Sequence, residues 1–346
     1  MKKIKTLIIF FLVVSLCASA YSFHGVKAQS GVWSVAQTGN AGFHSIQAAI
    51  NAAGSGDTIF VKTGTYLEAL TVNKAVTIVG ENPVNTFIDG ITSSGAVTIL
   101  ASNVKLLNFS ISNLPQISSP AITVNQCSNV TIANDTILNS QTGLALYGSS
   151  NNCVANNTIT LNSYAISTDA STHDNVFYQN NITQNTIGIY IFLSYQNTFY
   201  YNKFTGNILQ VLLIGQVQNN WDNGYPAGGN YWSDYAGVDQ NFGQYQNVTG
   251  KDGFGDVSYT LGSNNVDRYP LMRPYSYVPG DLNRDGAVNF DDLVYFVSGY
   301  INYWETFTIP SQYQVCDIDH DGGINIIDLV FFAQDYISYQ QTIMTH

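Results

Sequence analysis

Charge is scarce in this chain, and positive charge scarcest of all. Charged residues make up 10% of 346 positions, with 12 Lys and Arg against 23 Asp and Glu, a net of −11. Residues 1–28 hold four of the basic residues and no acid, so the remainder carries eight against 23, a net of −15. Such a surface disfavours nucleic acid and anionic lipid as partners. Low charge does not mean disorder here, because 45% of residues are hydrophobic and 13% aromatic, which favours an ordered β protein. Cysteine is also sparse. Beyond Cys17 only Cys127, Cys153 and Cys316 occur, an odd number. Export would permit a Cys127 to Cys153 bridge, but the two fall three positions out of column in a rung alignment, so free buried thiols are expected. Long apolar runs are missing except at 7–16, behind Lys2, Lys3 and Lys5 and ahead of small-residue cleavage sites ending at Ala20 or Ala28. Residues 1–28 therefore read as a secretory signal. An uncleaved anchor is the alternative, although the run is short of the roughly 20 residues a bilayer needs, and no other segment could span one.

What is abundant repeats. DLNRDGAVNFDD (281–292) returns 36 residues later as DIDHDGGINIID (317–328). Each copy puts oxygen-bearing side chains at loop positions 1, 3, 5, 9 and 12, with glycine at 6. These are Asp281, Asn283, Asp285, Asn289 and Asp292, then Asp317, Asp319, Asp321, Asn325 and Asp328. The backbone carbonyls of Ala287 and Gly323 fall at position 7. A hard cation gathers six to eight oxygens, which alternate residues supply while the glycine turns the chain, so each loop is expected to hold one Ca2+. Leu293, Phe296, Val297, Tyr300 and Ile301 recur as Leu329, Phe332, Ala333, Tyr336 and Ile337, one apolar stripe at helical spacing behind each loop. No helical run precedes Asp281, and position 12 is Asp where an EF-hand has Glu.

This loop–helix pair, 279–339, resembles a type I dockerin. The resemblance implies a calcium-folded module that plugs its protein into a cohesin domain of a scaffold or surface partner. Family members often carry Ser/Thr pairs at loop positions 10 and 11. This chain has Phe290-Asp291 and Ile326-Ile327, which puts the identity of the partner in doubt.

Between residues 96 and 220 the chain recurs every 22 to 26 residues. Apolar pieces open successive turns, and Asn108, Asn134, Asn157, Asn180 and Asn202 follow them as one expected stacked column. Short alternating strands at that period, with no helices between them, indicate a β-solenoid, and asparagine suits its tight turns. Six Asn-x-Ser/Thr sequons, at Asn108, Asn129, Asn134, Asn156, Asn181 and Asn247, occur, and those in stacked turns are expected to be too buried to modify. SIQAAINAA (45–53) sets Ile46, Ala49, Ile50 and Ala53 on one helical face, as a lid over the first rung would need.

SIQAAI (45–50), GDTI (56–59), GTY (64–66) and VGE (79–81), with the tail GNYWSDY (229–235), DGFGD (252–256) and DRYPLM (267–272), resemble secreted proteins of the NosD and carbohydrate-binding/sugar-hydrolase branch of the pectin-lyase-like superfamily. The resemblance covers about 33–275 and implies a mainly β fold. It is a right-handed parallel β-helix with a short N-terminal capping helix, running from 29 to 275 with a cap or tail at 231–275. A linker at 275–279 leads to the small α-helical calcium module.

The rungs are nearly bare of charge. From 96 to 220 the charged residues are Lys105, Asp135, Asp169, Asp174 and Lys203, with His173 beside them and no arginine. That is too little for the paired carboxylates of a glycosidase or the carboxylates and arginine of a lyase or esterase site, so superfamily catalytic residues cannot be carried over. One cluster is a catalytic candidate: Asp169, His173 and Asp174 share a turn, with Tyr164, Tyr178 and Tyr190 on neighbouring rungs. The plainer reading is a polar loop. Tyr195, Phe199, Tyr200, Tyr201 and Phe204 would stack on sugars, or be half core, since alternate strand residues point inward. Asp234, Asp239, Asp252, Asp256 and Asp267 would hold a further calcium near Asp252 and Asp256, or simply make turns. No Met/His/Cys cluster of the kind copper favours is visible. The expected function is binding or processing of polysaccharide, by hydrolysis or lyase chemistry, in a cohesin-attached extracellular protein. The alternative is a non-catalytic surface or adhesion protein displayed through the same module.

Overall fold

The computed structural model describes residues 30–90, 95–113, 119–262, 264–275, 280–282, 288, 290–309, 313, 316–318 and 323–344. Residues 1–28, expected to be a secretory signal, lie outside them. Three parallel sheets wrap one core as a solenoid of about eight turns. The first face runs from Val32–Val35 to Thr198–Tyr200 and has eight strands. The second runs from Gly64–Tyr66 to Tyr231–Trp232 and also has eight. The third runs from Leu70–Val72 to Leu209–Ile214 and has seven. Registers repeat rung by rung, for example Ile132 beside Val154, then Phe177, then Phe199.

Short strands of alternating residues make this work, because each odd side chain enters the core and meets its counterpart one rung away. One inward column reads Ile78, Leu106, Ile132, Val154, Phe177, Phe199, and it ends on Trp221, all buried. Its last rings stack at 4.7 and 4.4 Å. A second column ends with Phe204 on Trp232 at 4.3 Å. The core thus turns from aliphatic to aromatic toward the C-terminal end, where large rings close the tube.

The lid over the first rung is the helix Ile46–Ala52, with Ile46, Ala49 and Ile50 buried as its spacing predicts. Ser45 caps it, accepting from the Ala48 N–H at 3.2 Å. The Glu68 carboxylate accepts from the Ile46 and Gln47 N–H groups at 2.9 and 3.0 Å. At the other end Lys74 Nζ donates to the Asn51 and Ala53 carbonyls at 2.7 and 2.8 Å. An anion at the start and a cation at the end both complement the helix dipole. Lys74→Met is therefore expected to cost about 1–2 kcal/mol, read as a downward shift of the solenoid's thermal midpoint.

The expected asparagine column needs correction. The buried second corner is Asp135, Asn157, Asn180, Asn202 and Asn230. Asn108 and Asn134 belong to the adjacent column with Asn156, Gln179 and Tyr201, whose φ values of 55 to 64° turn their side chains outward. The corner uses two residues, a left-handed one outside and a hydrogen-bonding one inside, and sequence spacing alone merges them. In consequence the sequon asparagines Asn129, Asn134 and Asn156 are exposed, against the expectation of burial in the stacked turns, and Asn247 in the tail is exposed too.

Two more ladders fill the other corners. One comprises Asn152, Asn175, Asn197 and Asn219, and the other Asn162, Asn185 and Asn207. In each step the Oδ1 of one asparagine accepts from the backbone N–H of the previous one, as Asn197 does from Asn175 at 3.0 Å. Its Nδ2 donates to a carbonyl or hydroxyl nearby, so buried amides are satisfied along the stack.

The C-terminal module has helices Phe290–Thr306 and Ile326–Met344. Leu282, Val288, Phe296, Cys316, Ile324 and Phe332 form its core, and Phe296 stacks on its repeat partner Phe332 at 6.1 Å. Only part of each expected stripe is buried. Val297, Tyr300 and Ile301, with Tyr336 and Ile337, face solvent, because a core this small is filled by one ring from each helix and the loop aliphatics.

Candidate functional site

Three places on the molecule carry chemistry. On the first, His173 Nδ1 lies 2.8 Å from Asp174 Oδ2, and both side chains are partly exposed. Asp174 has φ of 54°, the left-handed corner that swings its carboxylate outward beside the preceding imidazole. His173 stacks on Tyr195 one rung on, at 5.2 Å. Asp169 is engaged elsewhere. Its Oδ1 accepts from Gly148 N, Ser171 N and Thr172 Oγ1 at 2.9, 3.2 and 2.7 Å, fastening the loop. The expected trio is thus a dyad plus a turn former. Tyr164 and Tyr190 meet edge to face at 5.5 Å on the third face, while Tyr178 sits on the first.

The second place is a ridge of tyrosines. Phe199 and Phe204 are buried, as strand alternation requires, while Tyr195 is exposed and Tyr200 and Tyr201 half-exposed. Tyr178 stacks on Tyr200 at 5.4 Å, and Tyr201 stacks on Tyr275 at 3.9 Å. Tyr275, placed by sequence at the start of a linker, is part of this wall. A cavity of about 240 Å³ opens there, lined by Asn156, Gln179, Asn181, Tyr201, Lys203 and Tyr275, among others. Sequence reading missed it. The available signals were Tyr201, in the aromatic run, and Lys203, one of two lysines on the central rungs.

The third place is the C-terminal loop–helix module. Asn283, Asp285, Ala287, Asn289, Asp319 and Asp321 lie outside the described residues. Asp281, Asp292, Asp317, Gly323, Asn325 and Asp328 lie within them. Asp292 and Asp328 are fully buried. They do the same thing in each repeat, with Oδ1 accepting at 2.7 Å from the N–H of loop position 2, Leu282 or Ile318. Asn325 Oδ1 accepts from Ile327 N at 2.8 Å and opens the second helix. Residues 279–339 contain ten acids and one arginine. Two buried carboxylates in so acidic a module call for a cation with hard oxygen preference, so the donor set fits Ca2+.

The tail acids have structural work instead. Asp252 accepts from Gly243 N and Gln246 Nε2, Asp239 from Asp252 N and Gly253 N, and Asp256 from Asn241 N. Asp267 is buried and ends the second ladder, accepting from Asn230 N and Trp232 Nε1 at 2.8 Å each and from Tyr269 N at 3.1 Å. Burial pushes its carboxyl up to about 7, and burial likewise raises those of Asp239 and Asp252. Among the described residues no group of three metal-ligating side chains gathers. Of the two readings of these acids, the turn reading has the hydrogen bonds behind it, with N–H groups pointing at the carboxylates.

Residues 50–237 match the family described as periplasmic copper-binding protein (NosD). The chain belongs to the NosD family. Residues 279–334 of this NosD-family chain match the type I dockerin domain, a class of domain that binds calcium and engages cohesins. Among the described residues the donors present do not fit copper. Cys127 and Cys153 are free thiols on different parts of the rung, one buried and one half-exposed, both pushed up by burial, and His44 is engaged with the Ala36 carbonyl. Cys316 is free and buried, its thiol pushed up to about 12. Among curated proteins none matches the chain. Several solved structures are similar over part of their length. Pectate lyase Pel9A is 15% identical with TM-score 0.46, over 66% of this chain and 84% of its own. Escherichia coli YbhC is 15% identical with TM-score 0.39, over 75% and 83%. Pectin methylesterase from Yersinia enterocolitica is 18% identical with TM-score 0.36, over 55% and 77%. No described helix is long and apolar enough to cross a membrane.

Proposed function

We propose that this is a secreted, polysaccharide-directed β-solenoid held in a cohesin–dockerin assembly. The solenoid flank binds glycan, and the calcium module docks into the cohesin of a scaffold or surface protein. The observation that carries the docking half is the exposed apolar skin of the two module helices on an otherwise acidic chain. Phe290 and Ile326, at the loop positions where dockerins often carry hydroxyl residues, are 70% and 66% exposed. Val294, Val297, Ile301 and Trp304 continue one surface, and Val330, Phe331 and Ile337 the other. Large exposed apolar patches mark protein interfaces, and here the partner cohesin would present an apolar contact where others present polar ones.

The glycan half rests on the outward tyrosines, since aromatic faces stack on sugar rings and their hydroxyls stay wet. A catalytic reading is favoured by one observation, the partly exposed 2.8 Å His173–Asp174 dyad stacked beside Tyr195. Such a pair suits general acid–base chemistry.

Calcium-loaded full-length protein should bind its cohesin, and Phe290→Ser with Ile326→Ser should weaken that complex about tenfold or more. Equal affinity of the double variant would remove the apolar interface. Incubation with plant, algal and microbial polysaccharides, followed by mass spectrometry, separates the readings of the flank. Oligosaccharides released by wild type and lost in the Asp169/His173/Asp174 triple alanine variant make it an enzyme with that site. Retention of glycan without product makes it a binding component. No retention of any glycan points to the displayed adhesion protein.

A further inference from the structure

The cavity beside Tyr201 is built by the solenoid's own corner rule. Asn156, Gln179 and Tyr201 occupy successive left-handed corner positions, with φ of 55, 56 and 58°, so three consecutive rungs send a side chain outward at the same edge. Asn181 and Lys203 are paired in register on adjacent strands of the second face and enter from the side. Tyr275 closes the far wall by stacking on Tyr201 at 3.9 Å. The space is about 240 Å³, room for one sugar ring between amides and an aromatic face rather than for a long apolar ligand.

One group there is unsatisfied by the protein. Among the described residues Lys203 forms no ion pair. An ammonium group with no acid partner recognises an anion. The rest of the chain is strongly acidic, so this cation is a local exception, not part of a basic surface.

We propose that this cavity is a subsite for one acidic sugar unit, carboxylated or sulfated, of the polysaccharide. Tyr201 and Tyr275 wall the sugar, and Lys203 meets the anion. The inference rests on the glycan-binding reading above and specifies which sugars that reading concerns.

Calorimetric titration of the full-length, calcium-loaded protein tests it, using a uronic acid trisaccharide, a sulfated trisaccharide and a neutral trisaccharide of matched linkage. The expected result is at least about tenfold tighter binding of an acidic sugar than of the neutral one. Lys203→Met, which keeps the side chain's stem, should erase that preference, and Tyr275→Ala should weaken all sugars that bind. Preference for the uronate over the sulfated sugar identifies carboxylate as the anion, and the reverse identifies sulfate. Equal binding of acidic and neutral sugars, or an unchanged preference in Lys203→Met of wild-type thermal stability, overturns the subsite and leaves glycan binding standing. If no sugar or polysaccharide binds anywhere on the protein, the subsite and the glycan reading fall together.

Discussion

Removing calcium from the full-length chain is expected to unfold the C-terminal module and leave the solenoid intact. Among the described residues the module's core is Leu282, Val288, Phe296, Cys316, Ile324 and Phe332. A core that small rarely sustains a domain unaided. Asp292 and Asp328 are buried at its centre, and without an ion the loop acids repel one another across a short distance. At a thousandfold excess over Kd each bound ion adds about 4 kcal/mol, so two ions exceed what such a core supplies by itself. Chelation should abolish the helical circular dichroism of Phe290–Thr306 and Ile326–Met344 while the β signal persists. Asp281→Ala with Asp317→Ala should remove the calcium-dependent transition from thermal unfolding. A helical signal indifferent to both chelator and variant would mean that the loops are structural turns without metal.

Asp267→Ala is expected to be the most damaging single change in the solenoid. This carboxylate accepts from three donors, Asn230 N, Trp232 Nε1 and Tyr269 N, at the open end of the second ladder. Truncation leaves three buried N–H groups unpaired, at about 1–3 kcal/mol each. The Phe204–Trp232 stack it anchors would loosen as well. The thermal midpoint should fall by many degrees, with exposure of Trp221 and Trp232 visible by fluorescence. A midpoint within a degree or two of wild type would show that water substitutes for the carboxylate. The same residue gives a pH dependence. Burial pushes its pKa up from 3.8 to about 7, so the folded state holds a proton that the unfolded chain releases. The stabilisation is therefore complete below about pH 4 and is lost as pH rises toward 7, by up to about 4 kcal/mol. Buried Asp135, also raised well above its ordinary value by burial, acts in the same direction. The solenoid should melt at higher temperature at pH 5 than at pH 8, and Asp267→Asn should flatten part of that slope.

Much of this architecture was legible in the order of residues alone. A period of 22 to 26 with alternating apolar positions leaves a solenoid as the economical fold, since each rung can bury its inward side chains only against the next. The helix Ile46–Ala52 was legible from four apolar positions on one face. The C-terminal domain match was legible because the twelve-residue ligand spacing of its loops is itself local. In all three the determining contacts are local or repeat one rung away, so the spacing in sequence is the spacing in space.

What only the tertiary structure decided involves residues far apart or neighbours with opposite fates. Asn156 and Asn157 are adjacent and chemically identical, yet one faces solvent and one is a buried ladder step, because backbone φ at the corner differs. Asp267 resembled a metal ligand by type and turned out to cap a ladder 37 residues upstream at Asn230. Asp169 and His173 share a turn, but hydrogen bonding assigns Asp169 to the loop and leaves His173 to Asp174. Tyr275 meets Tyr201 only after the tail folds back along the flank. Sequence determined the repeat and the C-terminal domain match, whose spacing is local. Folding decided which polar groups are satisfied inside and which remain open to a ligand, because that depends on what the chain brings alongside them.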